Sequence, residues 1–258
     1  MDLLNVENIS FSYESRQILK DISFSVEEGN ICGILGQNGT GKTTLLKCIH
    51  GLLKPKHGNV LIKGKSVHSM NCKERARNIS TVPQNINIIF SYTVLDVVLM
   101  AKVSKVNLFT SPSKEDEKEV IKILNSLEIG HLSDKRFNEL SGGEKQMVLI
   151  ARAMYQDTPI ILLDEPTAHL DYKNQIMIMD TIKDIVNKKN LTAIINIHDP
   201  NLALNYCDNI IMIKSGRVLI KGKTSDIICE NYLSNLYDMP VLVDKTQNGR
   251  SVVVPFSA

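Results

Sequence analysis

The sequence has no excess of either charge: 30 Lys and Arg against 28 Asp and Glu leave a formal charge of +2 over 258 residues. That balance gives no electrostatic footprint for nucleic acid, so no nucleic-acid partner is expected. Paired cysteines are missing as well. Cys32, Cys48, Cys72, Cys207 and Cys229 are far apart, odd in number and form no CxxC. This argues against a disulfide framework or zinc site and for reduced, mostly buried thiols. Apolar runs such as "IILL" are short, whereas a membrane-spanning helix needs about 20 apolar residues. The opening "MDLLNVENIS" has no basic stretch leading into an apolar one, so no signal peptide is expected. No tandem repeat or low-complexity stretch stands out. The rest, 43% hydrophobic and 22% charged residues, suits a globular α/β chain that would serve a membrane only from the water side.

Ile9, Phe11 and Tyr13 alternate with Ser10 and Ser12, and Ile22, Phe24 and Val26 repeat the period within "DISFSVEEG". Both stretches predict antiparallel strands, the second ended by "EEGN". "ICGIL" predicts a buried strand and "KTTLLKCIHGLL" a helix punctuated by Gly51 and Pro55. From about Ser91 to Tyr155 the period is helical, through "TVLDVVLMA", "KEDEKEVIKILNSLEI" and "GGEKQMVLIARAMY". Strand–helix alternation resumes with "PIILLDEP", "NQIMIMDTIKDIVNKK", "LTAIINIHD", "NLALNYC" and "NIIMIKSGRVLIKG". The expected division is a core of residues 1–84 and 156–222, a helical subdomain at 85–155, and a short C-terminal extension at 223–258.

Between the "ICGIL" strand and the next helix, "GQNGTGKT" fits G-x-x-x-x-G-K-[ST] in the context that gives this motif its meaning. Backbone N–H groups of Gly36, Gln37, Asn38, Gly39, Thr40 and Gly41, with the helix start at Lys42, Thr43 and Thr44, supply positive potential for phosphates. Lys42 would reach the β- and γ-phosphates and Thr43 Oγ1 would bind Mg²⁺. Asp164 follows the apolar strand of "IILLDEP", where α/β sheets place ligands, and can hold Mg²⁺ directly or through water. Glu165, one residue on, is suited to take a proton from attacking water. His198 in "IINIHDP" and Gln84 in "STVPQN" also end β-type runs. For His198 a γ-phosphate contact and a purely structural role both remain open. The Gln84 amide could touch both Mg²⁺ and the water. Tyr13 could stack on adenine through its ring or join Phe11 in the core.

"LSGGEKQ" poses a puzzle. Ser141 can cap a helix, and Gly142 and Gly143 admit an oxygen close to the backbone, yet no lysine accompanies them. Such a set steadies a phosphate already bound elsewhere, or simply begins a well-capped core helix. The ordered set "GQNGTGKTT", "VPQ", "LSGGEKQ", "IILLDEP", "AHLD" and "NIHD" resembles the nucleotide-binding subunit of ABC transporters over nearly the whole chain. The resemblance implies an α/β P-loop NTPase of ABC type, with a mixed sheet core, an N-terminal antiparallel β subdomain and an inserted helical subdomain. It implies ATP with Mg²⁺, and a head-to-tail homodimer in which Ser141 and Gly143 of one chain complete the site on the other. Asp171, in "AHLD", matches the loop that crosses between the two sites.

"YTVLDVVLMAK" and the tail "SDIICENYLSNLYDMPVLVD" are similar to the ATPases of ferric siderophore, haem and vitamin B12 importers, although zinc and manganese importers share much of the first pattern. This implies a cytoplasmic subunit docked on two permease subunits at the inner face of the membrane, with an external solute-binding protein. Asn196 departs from the Thr or Ser usual there, without an expected loss of the site. Ile86, Ile88, Ile89, Phe90 and Tyr92 are either a groove for a permease helix or ordinary packing. A non-transport ABC clamp is disfavoured by the lack of coiled-coil insertions or a second ATPase half. A lone P-loop kinase or switch GTPase leaves "LSGGEKQ" without purpose, and no guanine-specific NKxD is present.

Overall fold

The computed structural model describes residues 2–84, 90–102 and 112–256. Ile86, Ile88 and Ile89 lie outside them. β1 (Asp2–Tyr13) and β2 (Arg16–Glu27) form a hairpin, and β3 (Ile31–Leu35) leads into α1 (Lys42–His50). β4 (His57–Ile62), β5 (Lys65–Ser66) and α2 (Cys72–Asn78) precede β6 (Ile79–Val82). Then α3 (Val94–Leu99), α4 (Lys114–Ser126) and α5 (Gly142–Gln156) follow without a strand among the described residues. β7 (Ile160–Asp164), α6 (Tyr172–Lys189), β8 (Thr192–Ile197), α7 (Pro200–Tyr206), β9 (Asn209–Lys214) and β10 (Arg217–Lys223) complete the main sheet. The last elements are α8 (Thr224–Ile227), α9 (Glu230–Tyr237), β11 (Val241–Lys245) and β12 (Ser251–Pro255).

The main sheet has the order β10-β9-β3-β8-β7-β6, parallel except for β10. A second, antiparallel sheet has the order β2-β1-β4-β5. Strand side chains alternate between two faces, and the main sheet divides its apolar residues accordingly. Cys32, Ile34, Ile160, Leu162 and Ile194 pack with α1 and the antiparallel sheet. Ile31, Leu35, Ile161, Leu163 and Ile195 pack with the helices on the other face. Burial on both faces explains why these strands read as continuous apolar runs rather than as alternating ones.

β1 keeps the expected alternation at Ile9 and Phe11, both buried, but register shifts follow Val6, Ile9 and Phe11. Tyr13 ends the strand 45% exposed, its ring edge-on to Phe11 at 4.9 Å. α1 stops at Gly51, whose φ of 80° supplies the left-handed turn a C-terminal cap requires.

α4 begins at Lys114, the first residue of the stretch "KEDEKEVIKILNSLEI" whose period is helical. The Ser113 side chain accepts from the Asp116 N–H, and Asp116 accepts in return from the Ser113 backbone. Tyr155, 1% exposed on α5, donates its hydroxyl to Asp116 Oδ1 at 2.7 Å and ties the two helices together. That bond, with those from Ser113, holds the Asp116 carboxyl at about 2, below its ordinary 3.8. A carboxyl depressed in the folded chain adds stability above its unfolded pKa, and the stability is lost as pH falls toward the folded one. Tyr155→Phe is therefore expected to lower the unfolding free energy by about 1 kcal/mol at neutral pH. It should also flatten the pH dependence between about pH 4 and pH 2. Denaturant unfolding across that range checks both.

Candidate functional site

Four neighbouring parallel strands, β3, β8, β7 and β6, bring their carboxyl ends to one edge of the sheet. Each is followed there by sequence-selected residues: the glycine loop after β3, His198 after β8, Asp164 and Glu165 at the end of β7, and Gln84 beyond β6. Residues as distant in sequence as Gly36 and His198 thus meet at the edge where open α/β sheets place ligands.

The loop Gly36–Gly41 enters α1 through Gly41, at φ 102°, a conformation that residues with a side chain rarely adopt. A Cβ there would also lie 2.9 Å from the side chains of Ile18 and Leu19, so the loop sits tight on β2. No side chain caps α1 and no acidic residue occupies its first turn, so its first N–H groups and positive dipole end remain available to an anion. An open cavity of about 290 Å³ lies against this surface, lined by Asn38, Gly39, Lys42, Thr43 and Thr44 from the loop side, Arg16 and Ile18 from β2, and Glu165. A Cβ on Gly39 would meet open space.

Lys42, 4% exposed, donates to the Gly36 and Gln37 carbonyls at 2.8 and 3.0 Å. Burial pushes its ammonium pKa down, while the Glu165 and Asp164 carboxylates pull it back up. The charge is thus buried against its own loop, bonded to neutral carbonyls that a stronger acceptor can replace. Thr40 folds its hydroxyl onto the Gln37 carbonyl at 2.9 Å.

Thr43 donates to Asp164 Oδ1 at 3.0 Å. A hydroxyl and a carboxylate facing one another beside the cavity are hard oxygen donors of the kind Mg²⁺ takes, and they fit that ion. Asn196, which stands where Thr or Ser is usual, enters here. Fully buried on β8, it donates its amide to the same Asp164 oxygen at 2.5 Å. Its own carbonyl oxygen is buried without a partner among the described residues. A buried amide bond of this kind fixes the carboxylate's orientation, a role no motif announces.

Glu165 has a left-handed φ of 51°. Such strain in a non-glycine residue persists only where the surroundings hold it. Gln84 Nε2 donates to Glu165 Oε2 at 2.7 Å, and His198 Nε2 forms a short contact with Oε1. Three strand ends are therefore joined through a single carboxylate, beside the loop that is built for anions.

The second glycine pair lies elsewhere. Ser141 caps α5 with a reciprocal pair of bonds to Glu144, and its exposed hydroxyl donates to Glu144 Oε2 at 2.7 Å. No residue of "LSGGEKQ" lines the cavity against the glycine loop. Asp171 caps α6 and holds Asn174 by both its backbone and side-chain N–H, at 2.8 and 3.0 Å. A Cβ on Gly143 would come within 3.1 Å of that Asn174 side chain. Gly143, itself buried, thus packs against the Asn174 that Asp171 holds, and neither Gly143 nor Asp171 lines the first cavity. Tyr13 does not line the cavity either; its hairpin partner Arg16 does.

The family profile described as "ABC transporter" matches residues 19–168. The chain belongs to the ABC transporter family. The "Probable iron chelatin transport ATP-binding protein" of Helicobacter pylori (strain 26695) is 42% identical, over 93% of this chain and 94% of its own length. The molybdate import ATP-binding protein MolC of Haemophilus influenzae is 32% identical, over 98% and 95%. Among solved structures, a metal-chelate type ABC transporter in an inward-facing conformation superposes with a TM-score of 0.89 at 30% identity, covering 100% of this chain and 98% of the other. The chain is an ATPase of this family.

Proposed function

We propose that this chain is the ATP-hydrolysing subunit of an importer of metal chelates, of the ferric siderophore, haem or cobalamin kind. It works as a head-to-tail homodimer at the inner face of the cell membrane, beneath two permease subunits loaded from outside by a solute-binding protein. Among the described residues no helix is long and apolar enough to cross a membrane. The observation that carries the hydrolytic reading is the joining of Gln84, Glu165 and His198 beside the phosphate-binding loop. The relative named for iron chelatin and the metal-chelate structure support the cargo class.

In this reading Lys42 exchanges its loop carbonyls for β- and γ-phosphate oxygens, and the N–H groups of Gly36–Gly41 and the α1 start hold the remaining charge. Tyr13 stacks on the adenine from the end of β1. Thr43, Asp164 and Gln84 would hold Mg²⁺, which supplies neutralisation of the phosphate charge when bound. Asn196 keeps Asp164 turned toward that position. Glu165 accepts the proton of the attacking water. His198 contacts the γ-phosphate and, with Gln84, sets the geometry of the water. Ser141 and Gly143 bring the dipole end of α5 to the partner's γ-phosphate. Asp171, through Asn174, links that signature surface to the loop crossing between the sites. Phe90 and Tyr92, exposed beyond Gln84, belong to the groove that receives a permease helix.

The test is reconstitution of the chain with its permease and binding protein in liposomes. A ferric hydroxamate, haem or cobalamin is expected to raise ATP turnover and enter the vesicles. Stimulation by zinc, manganese or molybdate alone would assign the cargo elsewhere. The molybdate relative makes that last ion a necessary member of the panel.

A further inference from the structure

The C-terminal elements α8 to β12 supply no residue to the phosphate-binding cavity, yet they grip the segment that carries His198. Tyr237, the last residue of α9, donates its hydroxyl to the His198 backbone carbonyl at 3.0 Å. Three residues past His198, the Asn201 side chain makes two bonds to one residue of β12. Its amide donates to the Val253 carbonyl at 3.0 Å, and its oxygen accepts from the Val253 N–H at 2.7 Å. Between them Asp199 caps α7 by accepting from the Asn201 N–H at 2.7 Å.

The same end of α9 also meets the phosphate-binding loop. Asp238, in the left-handed conformation at φ 56°, accepts from Lys214 Nζ at 2.6 Å and sits 3.5 Å from the amide of Gln37. Lys214 further donates to the Asn235 side chain at 3.0 Å. Successive residues, Tyr237 and Asp238, therefore touch the two loops that flank the reacting phosphate in the proposed mechanism.

We propose that Tyr237 is a positioning residue for ATP turnover: by fixing the His198–Asp199 peptide plane it sets where the His198 imidazole stands relative to Glu165. The C-terminal extension is then a strut of the catalytic edge rather than an appendage. The geometry favours this over simple packing. A buried tyrosine hydroxyl ordinarily finds some acceptor; here that acceptor is the backbone carbonyl of a residue whose side chain meets Glu165. A carbonyl bonded from outside the sheet is held against rotation, and a small misplacement of a reacting group is costly in rate. The inference rests on the reading that His198 acts at the γ-phosphate.

Tyr237→Phe keeps the ring and removes the bond. In single-turnover hydrolysis by the full chain it is expected to lower the rate about fivefold, with ATP affinity within about twofold of the parent. In a His198→Ala background the same change is expected to have no further effect, because the group it positions is gone. Thermal melts accompany each variant. Should Tyr237→Phe fail to fold, Asn201→Ala releases the same segment from the β12 side and takes its place in the cycle. A parent-like rate, or an equal loss with and without His198, overturns the inference. If His198→Ala itself turns over ATP like the parent, the underlying reading of His198 fails instead.

Discussion

Glu165→Gln is expected to slow ATP hydrolysis by about 10²–10⁴ while the chain still binds the nucleotide. The two side chains are nearly isosteric, so the positive-φ backbone at Glu165 and the space between Gln84 and His198 are preserved. What disappears is the basic oxygen. A neutral amide cannot take a proton from water, so the loss falls on the chemical step. Binding is expected to survive because the proposed mechanism assigns the phosphates to other groups: Lys42, the loop N–H groups and the start of α1. Single-turnover hydrolysis and equilibrium binding of ATP, measured on the same preparation, separate the two steps. A variant hydrolysing at the parent rate would remove Glu165 from its role and leave the Gln84–Glu165–His198 arrangement as a structural clamp.

The residues that were legible in the sequence are those whose role is local. Gly41 needs its φ and Lys42 its place at the first turn whatever the rest of the chain does, so a nine-residue pattern announces them. The apolar runs of β3, β7 and β8 read correctly because both faces are buried, leaving nothing to alternate. Tyr13 shows the limit of period reasoning. β-Bulges along β1 shift its register, and one shifted position is enough to turn a side chain to the other face. Residues 57–78 carry no sustained period, because β4 and β5 alternate only over a few positions and α2 buries no side chain at all. The roles of Asn196 and Tyr237 were illegible for another reason. Asn196 stood out only as a departure from the usual Thr or Ser and Tyr237 not at all, because each meets a partner distant in sequence, 32 residues away for Asp164 and 39 for His198. Pairings of that range are set by the fold's closure. The missing lysine in "LSGGEKQ" raised the question of a shared site but left a capped helix open, and only the family resemblance implied a second chain.

The proposed composite site yields the second large effect. Lys42→Ala and Ser141→Ala chains, each nearly inactive alone, are expected to regain activity when mixed. Lys42 lines its own chain's cavity at the glycine loop, and Ser141 stands exposed at the head of α5 without lining it. In a head-to-tail pair, the two substitutions in different chains fall into one site and leave the other with both wild-type residues. Random assortment makes about half the dimers mixed, each with one intact site of two, so the mixture should reach roughly a quarter of the parent rate if sites act independently. Ser141→Ala also removes a helix cap and is expected to lower stability by about 1 kcal/mol. Melting curves of each homodimer must therefore accompany the rates, so that a stability loss is not read as a catalytic one. Recovery above the mean of the two separate preparations requires a phosphate held by one chain's lysine and finished by its partner's serine. A mixture that never exceeds that mean would mean each chain turns over ATP with its own residues alone, and the solitary "LSGGEKQ" would revert to a capped helix and nothing more.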